Sequence, residues 1–152
     1  MHSWKGLWRD MAPTADPAPR TDHRFRKART DHRDETAEDY TEAVAELLQR
    51  HGEARVKDLA EMMGVSHVTV SRVVSRLMEK GFLITEPYRP IMLTERGKRL
   101  AEKAKARHDL ALEFLLALGV PQESAEMDAE GIEHHLSDET MEAMRRYVAE
   151  RR

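Results

Sequence analysis

Between Ala54 and Gly81 the apolar residues fall on two short helical faces separated by a tight turn, and this spacing restricts the fold more than any other stretch. Val56, Leu59, Ala60 and Met63 line the first face, Gly64-Val65-Ser66 makes the turn, and Val70, Val73, Val74 and Leu77 line the second. This is a helix-turn-helix spacing: small Ala60 sits where the helices cross, Gly64 where the turn must open, and Val70 inside the second helix. Opposite Val70 the second helix presents His67, Thr69, Ser71, Arg72, Ser75 and Arg76, hydroxyls and guanidinium groups suited to base edges and phosphates. The alternative is an αα-hairpin with a polar solvated face.

The elements around this unit follow from the same pattern. Phe82 to Glu86 and Ile91 to Thr94 read as two short strands joined by Pro87-Tyr88-Arg89-Pro90, a stiff wing with Arg89 at its tip available to phosphate. A helix from about Glu35 to Arg50 precedes the motif, with Tyr40, Val44, Leu47 and Leu48 on its apolar stripe. Thr94 caps a long helix running to Gly119. Its later half carries Leu112, Phe114, Leu115, Leu116 and Leu118, more apolar surface than one core needs, so a partner chain is expected. Pro121 opens a further helix ending near Leu136, and Ser137 caps a last one with Met141, Met144, Tyr147 and Val148 on its stripe. The expected fold is mainly α, an N-terminal winged helix-turn-helix (35–98) followed by a C-terminal helical dimerisation and metal-binding domain (99–152). Residues 1–34, interrupted by Pro13, Pro17 and Pro19, are expected to form a flexible basic extension.

Charge is segregated along the chain: residues 1–33 sum to +4, 34–52 to −5, 53–107 to +5 and 108–152 to −7. A basic middle between acidic flanks suits a nucleic-acid-binding unit joined to a cation-binding one, although ordinary solvated charge would look similar. The chain has no cysteine, which excludes disulfides and thiolate sites and confines any metal to nitrogen and oxygen ligands. It shows neither a membrane-length apolar run nor a signal-peptide core, so a cytoplasmic location is expected.

Potential ligands concentrate in Asp128-Ala129-Glu130-Gly131-Ile132-Glu133-His134-His135. On a helix, Glu130, Glu133 and His134 stand at i, i+3 and i+4 and converge on one point. Three side chains rarely complete a coordination sphere, so further ligands are expected elsewhere. Asp39 and Glu42 share a face of the first helix and could present two oxygens, but near a helix N-terminus the dipole explains them equally. His108, alone on its helix, is most simply structural, and His135 is rotated about 100° from His134. The pattern Glu130-x-x-Glu133-His134 falls short of the zinc-peptidase H-x-x-E-H by its first histidine, and no enzyme is expected.

These residues resemble the diphtheria toxin repressor family of metal-dependent repressors, and within it the manganese transport regulators. The resemblance covers roughly Ala37 to Tyr147 and rests on Glu38-Asp39-Tyr40, Ala54-Arg55-Val56, Leu93-Thr94 with Gly97, Arg107-His108, and Glu130 through Ser137. It implies a metal site of Asp39, Glu42, His108, Glu130, Glu133 and His134, raising His108 to a ligand. Sulfur-bearing residues occupy the positions of Asp39 and Glu130 in the iron-sensing branch; the carboxylates here form a hard set suited to Mn(II). The implied function is a homodimeric, Mn(II)-activated repressor of manganese uptake genes bound to double-stranded operator DNA. The alternatives are an Fe(II)-responsive member and a winged-helix regulator not controlled by metal. The chain departs from the family in Pro90 of the wing and His67-Val68 at the recognition helix, which bears on the operator sequence. The SH3-like third domain of the longer iron-sensing relatives is not expected here.

Overall fold

The computed structural model describes the backbone of residues 20–151 and the side chains of residues 35–151. Its elements are α1 (Arg20–His51), α2 (Val56–Met63), α3 (His67–Glu79), β1 (Leu83–Ile84), β2 (Met92–Leu93), α4 (Glu95–Ala117), α5 (Gln122–Ile132) and α6 (Asp138–Ala149). A 3₁₀ turn, Glu133–His135, links α5 to α6. None of the described helices is long and apolar enough to cross a membrane.

The helix-turn-helix forms as its spacing requires. Gly64 closes α2 in the left-handed region (φ 65°), where its N–H reaches back to the Ala60 and Glu61 carbonyls. Ser66 caps α3 by accepting the Thr69 N–H. Leu59, Ala60, Val70, Val73, Val74 and Leu77 are buried together with Ala37, Tyr40, Ala43, Val44 and Leu47 of α1, making one core. The wing is shorter than expected: β1 and β2 pair antiparallel over only two residues each, Leu83 opposite Leu93 and Ile84 opposite Met92. Proline at 87 and 90 ends the ladder early, because proline supplies no N–H to it. Ala54, just before α2, adds a bridge by accepting the Ile91 N–H at 2.7 Å.

Helix α1 begins at Arg20, not near Glu35 as the sequence suggests. No proline follows Pro19 in this stretch, and its five Arg, with Lys27 and Ala28, are good helix formers, so the helix persists without an apolar stripe. The rest of the expected flexible extension, residues 1–19, lies outside the described residues, as do the side chains of Arg20 to Asp34.

Thr94 joins the two halves. Its hydroxyl accepts the Gly97 N–H to start α4 and donates to the Gly81 carbonyl at 2.7 Å. Gly97 lies directly against the backbone just before β1: a Cβ here would overlap the Phe82 carbonyl oxygen. Beyond this point α4 packs on α5 and α6 through small residues, Ala101, Ala104 and Ala111 of α4 with Ala125 and Ala129 of α5 all buried. Alanines let helix backbones approach closely, which brings the end of α5 up to the middle of α4. Met141, Met144 and Val148 of α6 close this second core, and Tyr147 meets Phe114 edge-on with centroids 5.2 Å apart.

Replacing Gly97 by alanine should therefore cost about 1–3 kcal/mol of stability, since the neighbouring atom is backbone and cannot swing away. Gly131→Ala, on α5 with open space around it, should be neutral or stabilising by about 0.5–1 kcal/mol. Chemical denaturation of the two variants checks the contrast.

Candidate metal centre

Four segments meet around the Glu133 carboxylate. Helix α1 buries Tyr40, Val44 and Leu47 in the DNA-binding core while its opposite face carries Glu35, Glu38, Asp39 and Glu42. Helix α4 brings His108, α5 brings Glu130, and the 3₁₀ turn brings Glu133 and His134. The expectation that Glu130, Glu133 and His134 share one helical face is corrected here. Helix α5 stops at Ile132, Leu136 is extended, and Ser137 already caps α6. The Arg107 guanidinium holds the break open by donating to the Glu133 carbonyl at 2.9 Å and the Leu136 carbonyl at 2.5 Å.

The consequence is two adjacent ligand groups in place of one. Glu130 and Glu133 turn toward His108, whose Nδ1 lies 3.6 Å from Glu130 Oε1 and 2.5 Å from Glu133 Oε2. His134 turns the other way, toward α1: Nε2 is 3.1 Å from Asp39 Oδ1, and Nδ1 is 2.7 Å from Glu38 Oε2. Glu35, Asp39 and His134 can offer ligand atoms to one point, and His108, Glu130 and Glu133 to another. Glu133 touches both groups, because its Oε1 is also 3.3 Å from His134 Nε2. Glu42 lines the clefts on both sides, one with His108 and Glu130, the other with Asp39 and His134. Thus all six expected ligands gather here. His135 is exposed and stands apart from both groups.

Electrostatics mark Glu133 as the strained member. Its side chain is only 3% exposed, and desolvation pushes its pKa up to about 7 despite the two imidazoles that pull it down. His134 is held protonated by its carboxylate partners, Asp39 first and then Glu38, which raise its pKa to about 10. Burial also raises Glu42, with His108 opposing and Glu130 reinforcing the shift. Crowded carboxylates and imidazoles that retain protons when no cation is present are a donor set suited to a hard divalent ion.

The second surface of interest lies on α3 and the wing. His67, Thr69, Ser71, Arg72, Ser75 and Arg76 are all exposed, and all but Thr69 line one shallow groove with Val68 and Glu79. The Thr69 hydroxyl is engaged with Ser66 Oγ at 2.9 Å in the helix cap. Arg89 sits on the wing beside Tyr88, which is 99% exposed, and lines a neighbouring groove with Arg55, Lys57, Ser71 and Ser75. Arg55 is paired with Glu53.

Sequence reasoning did not assign roles to Glu35, Glu38 or Arg107. The two glutamates were discoverable, since Glu35, Glu38, Asp39 and Glu42 form a continuous acidic stripe at helical spacing. Arg107 carries no such signal, because its partners are mainly backbone carbonyls 26 and 29 residues away.

The raised groups fix a pH dependence. Glu133 keeps its proton to about pH 7 in the folded metal-free protein, against the ordinary 4.5. Its contribution is complete below that ordinary value and is lost as pH rises through about 7. His134 acts in the same sense, its contribution complete below 6.5 and lost as pH rises through about 10. Thermal stability measured in chelator should therefore fall between about pH 5 and about pH 9. Glu133→Gln, which mimics the protonated acid, should flatten the lower half of that fall.

Residues 34–91 match the iron dependent repressor N-terminal DNA binding domain, and residues 94–152 match the iron dependent repressor metal binding and dimerisation domain. The transcriptional regulator MntR of Escherichia coli O157:H7 is 43% identical over 124 residues, 82% of this chain and 80% of the relative. The HTH-type transcriptional regulator MntR of Bacillus subtilis (strain 168) is 42% identical over 100 residues, 66% of this chain and 70% of the relative. Among solved structures, a manganese-dependent transcriptional repressor in complex with manganese superposes with a TM-score of 0.68 at 30% identity. The manganese regulator SloR does so with 0.66 at 28%. Each superposition covers 74% of this chain, which spans about half the length of those two proteins. With both domains matched in order and relatives above 40% identity along most of its length, the chain belongs to the iron dependent repressor family.

Proposed function

We propose that this protein is a Mn(II)-responsive transcriptional repressor that binds operator DNA as a homodimer and controls metal (manganese) uptake genes. The observation that carries this reading is the gathering of Asp39, Glu42, His108, Glu130, Glu133 and His134 around one buried carboxylate at the junction of α1 with α4 and α5. Four carboxylates and two imidazoles form a hard set without sulfur that suits Mn(II); because intrinsic affinity rises from Mn(II) to Fe(II), the preference for manganese rests on site geometry and metal availability. The manganese-dependent repressor structure and the MntR relatives support the same ion. When bound, the cation supplies positive charge that offsets the mutual repulsion of the carboxylates.

The rest of the mechanism belongs to the chain. Helix α1 is packed into the helix-turn-helix core on one face and supplies Asp39 and Glu42 on the other, so fixing that acidic face also fixes the DNA-binding unit. In a dimer, this restrains the two α3 helices to about one DNA turn apart, roughly 34 Å. His67, Ser71, Arg72, Ser75 and Arg76 face the major groove, Thr69 supports the helix start, and Arg89 meets phosphate from the wing. Leu116 and Leu118, 37% and 51% exposed at the end of α4, and Met127 at 69%, offer an apolar face for the second subunit. The domain division is proposed as a winged-helix unit over 35–98 and a dimerisation unit over 99–152.

The chain works by binding and not by catalysis, in the cytoplasm. Both Glu133 oxygens face histidines, an arrangement suited to holding a cation among them. Fluorescence anisotropy with promoter DNA should show roughly tenfold or greater tightening with Mn(II) over chelator. Glu133→Ala and His108→Ala should remove that response, whereas Arg72→Ala and Arg76→Ala should weaken binding in both states and lower its salt dependence. Equal affinity with Mn(II) and with chelator would refute the reading.

A further inference from the structure

We propose that Glu38 is a positioning residue for the metal centre: its carboxylate accepts the His134 Nδ1–H and thereby presents Nε2 of that ring toward Asp39 and Glu133. This rests on the metal-responsive reading above. The two nitrogens of His134 have distinct surroundings. Nδ1 is 2.7 Å from Glu38 Oε2, whereas Nε2 is 3.1 Å from Asp39 Oδ1 and 3.3 Å from Glu133 Oε1. The ring is 4% exposed and the Glu38 side chain 17%, so water competes little for this hydrogen bond.

A histidine that binds a cation must leave one nitrogen unprotonated, and a carboxylate on the other nitrogen decides which one. Here that carboxylate comes from α1, while the ring comes from the turn after α5. Glu38 and Asp39 are consecutive on α1 and approach the ring from its two nitrogen sides. Asp39 can offer an atom to the same point as His134, whereas Glu38 lies on the far side of the ring. Glu38 therefore fixes both the tautomer and the rotation of the ring. Because it lies on the helix shared with the DNA-binding core, it also ties that orientation to α1.

The test is Mn(II) calorimetry on the full chain for Glu38→Ala, Glu38→Gln and Glu133→Ala, joined to imidazole nitrogen NMR with Cd(II) as a diamagnetic probe. Expected are a 10–100-fold loss of Mn(II) affinity for Glu38→Ala and substantial recovery for Glu38→Gln, whose amide oxygen still accepts a hydrogen bond. In the Cd(II)-loaded wild type, His134 should carry its proton on Nδ1 and couple to the metal through Nε2, a signature lost in Glu38→Ala. Wild-type affinity in Glu38→Ala alongside a large loss in Glu133→Ala would overturn the role of Glu38 and leave the site standing. Unchanged affinity in Glu133→Ala as well would overturn the site itself. Coupling of Cd(II) through Nδ1 would overturn the proposed orientation.

Discussion

The structure turns on a carboxylate in a place that ordinarily excludes one. Glu133 is buried between His108 of α4 and His134 beside it in the 3₁₀ turn, and desolvation holds its proton to about pH 7. Such a group is costly to ionise in isolation and becomes acceptable when protonated or opposed by positive charge. The surrounding fold is arranged to keep it there. Alanines along α4 and α5 bring the helices close, and Arg107 secures the carbonyls of Glu133 and Leu136 so that α5 ends where the chain must turn.

Helix α1 extends this local chemistry to the DNA-binding surface. Tyr40, Val44 and Leu47 lie in the same core as Val70, Val74 and Leu77 of the recognition helix and its neighbour contacts. On the opposite face, Glu38 and Asp39 meet His134. One helix thus belongs to both halves of the molecule, giving its acidic face a direct physical link to the packing of the helix-turn-helix. Interiors this closely packed transmit small displacements instead of absorbing them.

Much of this was legible in the sequence because it depends on short-range periodicity. Ala60, Gly64 and Val70 fixed the helix-turn-helix, and Ser66, Thr94 and Ser137 announced their helix starts by capping chemistry. The six residues expected as ligands lie at one junction, though the inclusion of His108 rests on family resemblance and not on spacing. What spacing missed was set by long-range contacts. The helix carrying Glu130 stops before His134 because Arg107, remote in sequence, captures the carbonyls at the break, so one expected cluster became two that share Glu133. Helix α1 starts fifteen residues upstream of the expected beginning near Glu35, since propensity alone sustains it there.

The central claim is that protons occupy the place a divalent cation takes, and counting them tests it most directly. Mn(II) binding is followed by calorimetry near pH 7 in buffers of different ionisation enthalpy, which yields the number of protons released per ion. At least one is expected, drawn from Glu133 and His134, and fewer in a Glu133→Gln variant. Binding that releases no protons in any buffer would contradict it.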